Sequence, residues 1–407
     1  MTHRFRLATA VATAALTLPL AHIATADTHT LGAGDPIRMT THNAETYQNH
    51  FVPQGMCSVA LTGTINGEDT IVTAGHCLGD PGNQIDDSEE INLTNAVYVP
   101  DYAGEKQTGT ATKVKNPEKT YQGSIADPLG FGMFNETDYG FATATDDTTL
   151  TTGVYSRDEA GGNVGTLTDI TGIRDYQRLD DIQLGSSTIP TASIDNFGQP
   201  VCKDGARTGR TCGMQLARTN NAVFTYNTHM DQGDSGGLTW DPNTKEAIGI
   251  NSMTATTAFI PYVGEVGRAQ PLDSAIEDAY GVEDGKVNND FTLATDTTPR
   301  DEYMTMNDTT GIITEYRNMV HNQQIDAAQQ AIDDSIDATW NVPDSFNEQA
   351  DNLLGGQSDL QQAACECGQT LDETYATYQQ SAHDFGEVAD TDPQAALEAV
   401  DNTLRNF

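Results

Sequence analysis

Between about residue 55 and residue 270 the apolar residues come only in short runs. CSVALTG (57–63), TIVTAG (70–75), NAVYVP (95–100), YGFATA (139–144), GMQLA (213–217), NAVFTYN (221–227), GLTW (237–240) and EAIGINS (246–252) are separated by Gly, Asn, Asp and Pro. Thr, Val, Tyr and Ile recur in them. Many short β-prone runs with turn residues between them predict an all-β barrel or sandwich. Period-two alternation is weak, so this expectation rests on run length and punctuation.

The character changes after about residue 285. VNNDFTLATDTTPRDE (287–302) is rich in Thr and Asp and reads as part of a linker over 285–310. An acidic, Gln-rich helical region is expected over 311–407. Ile325, Ala328, Ile332, Ile336 and Trp340 fall three or four apart, on one helical face. Pro343 would end that helix, with further helices at 346–354, about 360–378, and from Asp392-Pro393 onward. Such a region could pack on itself as a small bundle or serve adhesion, dimerisation or retention. The sequence does not choose between these.

At the other end, His3, Arg4 and Arg6 precede an apolar stretch from Leu7 to Leu20, and Ala24-Thr25-Ala26 offers a small-x-small cleavage site. Residues 1–26 therefore read as a signal peptide cut near Ala26, and the mature chain as secreted and soluble. No later segment has the ~18 apolar residues of a spanning helix. The chain carries 59 Asp and Glu against 20 Lys and Arg, a formal net charge of −39. Nucleic acid and anionic membranes are poor partners for such a surface. The excess runs along the whole chain and suits either salty surroundings or simple solubility. In an exported chain six cysteines suggest disulfides, and their spacing suggests local pairs: Cys57 with Cys77, Cys202 with Cys212, and Cys365 near Cys367. Cys365-Glu366-Cys367 could hold a soft metal, but no His-Cys cluster accompanies it, so no metal and no cofactor are expected.

One loop serine stands out. In DQGDSGGLTW (231–240), Ser235 sits between Asp234 and two glycines. A serine hydroxyl becomes a nucleophile only with a base to take its proton and a third group to orient that base. His76 closes the β-branched run TIVTAGHC, where a strand and Cys77 would fix its imidazole. For the third group Asp138 precedes the apolar start Tyr139-Gly140-Phe141-Ala142. Asp101 in VPDYAG and Asp127 in ADPLG are alternatives in turn-like surroundings.

TAGHC (73–77), TDYGFA (137–142) and GDSGG (233–237), in that order, resemble the His–Asp–Ser triad of chymotrypsin-fold serine proteases. CSVALTG with TIVTAGHC, and PVCKDGARTGRTCG (200–213), resemble the two disulfide hairpins of the secreted bacterial branch that includes streptogrisin and α-lytic protease. The likeness spans about residues 50–275. It implies two six-stranded antiparallel β-barrels and a protease domain over 51–284, after an N-terminal segment or short pro-region at 27–50; the helical C-terminal region has no counterpart in the resemblance. The likeness further implies a protein or peptide substrate cleaved through an acyl-enzyme. His76, Asp138 and Ser235 would form the triad, and the N–H groups of Gly233 and Ser235 the oxyanion hole. Ser252 would hydrogen-bond the triad aspartate. His229, Met230 and Asp231 would line or flank the specificity pocket.

The chain also departs from that pattern. NTHMDQ (227–232) lacks the cysteine that many members place just before GDSGG. No Ile-Val-Gly-Gly-type terminus is present to pair with Asp234, for which Arg174 is a candidate partner. The rival reading is an inactive protease-fold scaffold in a binding or adhesion protein whose helices carry the function. Oligomeric state is not legible.

Overall fold

The computed structural model describes residues 28–78, 94–116, 136–157, 163–167, 170–184, 187–255 and 265–340. The chain divides into two compact units, residues 1–320 and 321–407. The first is mostly β, as the run pattern predicts.

Its N-terminal half is an antiparallel sheet. The strands are β2 (Pro36–Tyr47), β3 (His50–Ser58), β4 (Leu61–Ile65), β5 (Glu68–Thr73), β6 (Ala96–Asp101), β7 (Gly104–Lys115) and β8 (Tyr139–Ala144), joined by β20 (Phe291–Leu293). Their spatial order is β20-β4-β5-β8-β7-β6-β2-β3. Local chemistry explains the hairpins. Asn66 and Gly67, at φ 54° and 81°, form the two-residue turn between β4 and β5 that needs positive φ at both positions. Beside this sheet, β9 (Thr148–Arg157) pairs with β1 (His29–Ala33) and β10 (Asn163–Leu167).

The C-terminal half closes on itself. It comprises β14 (Pro200–Gly205), β15 (Gly209–Arg218), β16 (Val223–Tyr226), β17 (Leu238–Trp240), β18 (Glu246–Ala255) and β19 (Val266–Pro271). The order β18-β17-β14-β15-β16-β19 returns to β18, a closed six-stranded barrel. Closure leaves no strand edge within the ring. Leu31, Ile37, Val59, Ile71, Val72 and Phe141 share one buried cluster with Leu238, Trp240 and Ile250, so a common core joins the two β halves. Helix α1 (Leu272–Tyr280) leaves β19 directly, burying Leu272, Ala275 and Ile276, and ends at Gly281 in the left-handed conformation. That C-cap is the usual stop for a helix.

The two segments flanking the expected protease domain lie inside the fold. Residues 29–47, read as an N-terminal segment or pro-region, form β1 and β2. Residues 285–310, read as a linker, contain α2 (Val287–Asp290) and β20 and then pack along the β unit. Phe291, Tyr303, Met304 and Met306 are buried there. The polar composition of that stretch hid these apolar anchors. Helix α3 runs from Met306 to Trp340, beginning inside the expected linker. In the second unit the described chain, residues 321–340, is helical and spans the positions from Ile325 to Trp340; Pro343, the later expected helices, Cys365 and Cys367 lie outside the described residues.

Candidate active site

Among the described residues two disulfides are present, Cys57–Cys77 and Cys202–Cys212, as the spacing predicts. The first has a direct bearing on geometry. Cys77 follows His76 in the short turn after β5, and Cys57 precedes Ser58 at the end of β3. Ser58 in turn holds the serine loop. Its N–H donates to the Ser235 carbonyl at 2.8 Å, and its Oγ donates to the Gly233 carbonyl at 2.7 Å. One cross-link therefore ties the histidine segment to the strand that positions the serine loop.

His76 meets Asp138 twice. The Asp138 Oδ1 accepts the His76 backbone N–H at 2.9 Å, and Oδ2 lies 2.8 Å from the ring Nδ1. Asp138 is fully buried, ahead of β8. Ser252 on β18 donates its hydroxyl to Asp138 Oδ2 at 2.5 Å, and the buried Arg268 on β19 donates to Ser252 Oγ at 2.7 Å. The Asp138 N–H donates to Gln270 Oε1 at 3.0 Å. Burial opposes ionisation of this carboxyl, but the His76 imidazole and the hydrogen bonds from His76 and Ser252 outweigh it and hold it below its ordinary value. The imidazole thus rests on a carboxylate, with Nδ1 committed to Asp138.

The serine loop depends on its glycines. Gly233 has φ 104° and Gly236 φ 81°. A Cβ on Gly236 would lie 2.0 Å from Thr73 Oγ1 and 2.5 Å from the Ser58 carbonyl oxygen, so only glycine fits there. The Gly236 N–H donates to Asn251 and the Gly237 N–H to Asp234. Among the described residues, no protein acceptor takes the N–H of Gly233 or of Ser235. Both amides belong to the turn that carries the Ser235 hydroxyl.

Asp234 is the hub behind that loop. It pairs with Lys203 of β14 at 3.0 Å, both side chains fully buried. The expected partner, Arg174, instead pairs with Asp241 and Glu246. Lys203 wins because β14 crosses directly beneath the loop, paired with β17 just after it. Asp234 also accepts the N–H groups of Arg207 and Thr208 at 2.9 Å and of Asp231 at 3.0 Å. Where the sequence lacks a pocket cysteine, this carboxylate gathers three backbone amides from two segments non-covalently. Burial pushes the Lys203 ammonium below its usual value against the pull of Asp234.

The remaining sequence candidates scatter. His229 is 60% exposed at its side chain, with Nδ1 2.8 Å from Glu265. Met230 is buried and its N–H also meets Glu265 at 3.1 Å. Asp231 is exposed, 3.9 Å from Arg207. Asp101 ends β6 and pairs with Lys106 of β7 at 3.1 Å. Asp127 lies outside the described residues. Lys203, Arg268, Gln270 and Glu265 were not singled out by sequence reasoning. Charged or amide residues inside otherwise apolar strands, as in VCKDG and GRAQP, are the trace they leave.

No protein-family model matches the chain, and no curated protein matches it in sequence. Among solved structures it is similar to Thermobifida fusca protease A at 18% identity, covering 66% of this chain and 100% of that one with a TM-score of 0.37. It is similar to the Nocardiopsis protease NAPase at 20% identity, covering 61% and 96% with a TM-score of 0.36. It is also similar to Cellulomonas bogoriensis chymotrypsin at 18% identity, covering 66% and 100% with a TM-score of 0.34.

Proposed function

We propose that the protein is a secreted serine endopeptidase acting through His76, Asp138 and Ser235. The observation that carries this reading is the buried Asp138 carboxylate, which accepts both the backbone N–H and the ring of His76 while Ser252 and Arg268 brace it from behind. Ser235 Oγ attacks the substrate carbonyl carbon as its proton passes to His76 Nε2. The oxygen gains negative charge against the N–H groups of Gly233 and Ser235, each worth roughly 3 kcal/mol in such sites. His76 then returns the proton to the leaving amine, giving an acyl-enzyme. Water repeats the sequence and frees Ser235. The imidazolium formed on the way is stabilised by Asp138, which stays ionised. Export is supported by the two disulfides, and among the described residues no helix is long and apolar enough to cross a membrane.

The test is intact mass after a fluorophosphonate probe, with Ser235→Ala as control. A single adduct mapped to Ser235, and absent from the variant, is the expected outcome. A folded chain that takes no adduct at either low or molar salt would favour the inactive-scaffold reading.

A further inference from the structure

We propose that Asp175, Glu277 and Asp284 hold a divalent cation of calcium's size, at a site separate from the candidate active site. Asp175 follows β11 (Gly172–Ile173), Glu277 lies on α1, and Asp284 sits in the turn after α1. One carboxylate oxygen from each lies within 4.8 Å of the others. Oxygens on opposite sides of a calcium ion, each at about 2.4 Å, are about 4.8 Å apart, so one ion can reach all three. Magnesium, with oxygens at about 2.1 Å in a strict octahedron, fits this spread less well.

Buried oxygens without partners separate this cluster from an ordinary acidic surface, although Asp175 and Asp284 themselves reach the surface. Glu277 is only 8% exposed, and its Oε1 has no hydrogen-bond partner. Asp175 Oδ1 is also buried and unpartnered. No Lys or Arg among the described residues lies within ion-pair distance of any of the three. Asp284 Oδ2 accepts one weak bond, from the Arg178 N–H at 3.3 Å. A buried carboxylate oxygen without a donor is costly, and three converging carboxylates repel. A divalent cation satisfies the orphaned oxygens and cancels the repulsion together, whereas protonation does so only in acid. Bound there, the ion would clamp α1 and its following turn to the strand that leads into the barrel.

The measurement is terbium luminescence, excited through tyrosine, on chelator-treated full-length protein in molar sodium chloride. High salt suppresses diffuse association with the acidic surface. One saturable site is expected, emptied by calcium at far lower concentration than by magnesium. Glu277→Gln and Asp284→Asn should each weaken binding at least tenfold, while Asp69→Asn, an exposed acid elsewhere, should not. Asp284 is exposed, so its variant keeps the test decisive if Glu277→Gln fails to fold. No saturable terbium signal, or unchanged affinity in Asp284→Asn, would overturn the proposal.

Discussion

At the scale of single residues, the site is a set of buried charges that satisfy one another. Asp138 is held by His76, Ser252 and, through Ser252, Arg268; Asp234 is held by Lys203 and three backbone amides. Ser252→Ala would remove one charge-assisted hydrogen bond and leave an Arg268 N–H without its acceptor. Such a bond is worth roughly 1.5–3 kcal/mol, so kcat/KM should fall roughly 10- to 150-fold, with KM little changed. Asp138→Asn should cost about 10⁴ in kcat, because the imidazole loses its tautomer and its counter-charge. Steady-state kinetics on a peptide ester separates the two. The depressed Asp138 carboxyl also has a pH consequence. Its contribution to stability is fully present above the unfolded carboxyl's value and disappears only as pH falls through the lower folded value. The sequence motifs made His76, Asp138 and Ser235 visible because nucleophilic chemistry demands those residue types on a rigid strand end and a glycine loop. Lys203 and Arg268 stayed hidden because nothing in a local window says which cation faces inward.

Elements show the opposite balance. Strand runs such as YGFATA and TIVTAG were legible because burial and turn residues leave a local imprint. Strand β20 was not, since FTL gains its meaning only from pairing with β4, more than two hundred residues earlier. The same holds for the chain after it. Tyr303 donates to the Thr30 carbonyl, Arg300 pairs with Asp35, and the Met304 N–H donates to the Pro100 carbonyl. A chain ended after Asp284 loses Phe291, Tyr303, Met304 and Met306 from the core. At roughly 1.5–3 kcal/mol for each buried side chain, the sum rivals the whole stability of an ordinary domain. That truncation should fail to fold cooperatively, whereas one ended after Val320 should melt in a single transition. Circular dichroism melts of the two distinguish a linker from a structural strap.

Over the whole molecule the dominant quantity is charge. A formal net charge of −39 means that each folded chain works against its own repulsion, and screening relieves it. The melting temperature should therefore rise by several degrees between low and molar sodium chloride, measured in excess calcium so that the specific site does not contribute. A flat response would assign the acid excess to solubility alone. Charge also explains why composition could exclude anionic partners without indicating a substrate.

The assembly of the proposed relay from both β halves sets a schedule for synthesis. His76 and Asp138 come from the first sheet and Ser235 from the barrel, while the sheet's β20 edge strand emerges from translation after every one of them. A nascent chain cannot bring acid, base and nucleophile together until nearly all of the β unit is made. For the proposed endopeptidase, the order in which the chain is written would therefore delay activity until synthesis is nearly complete.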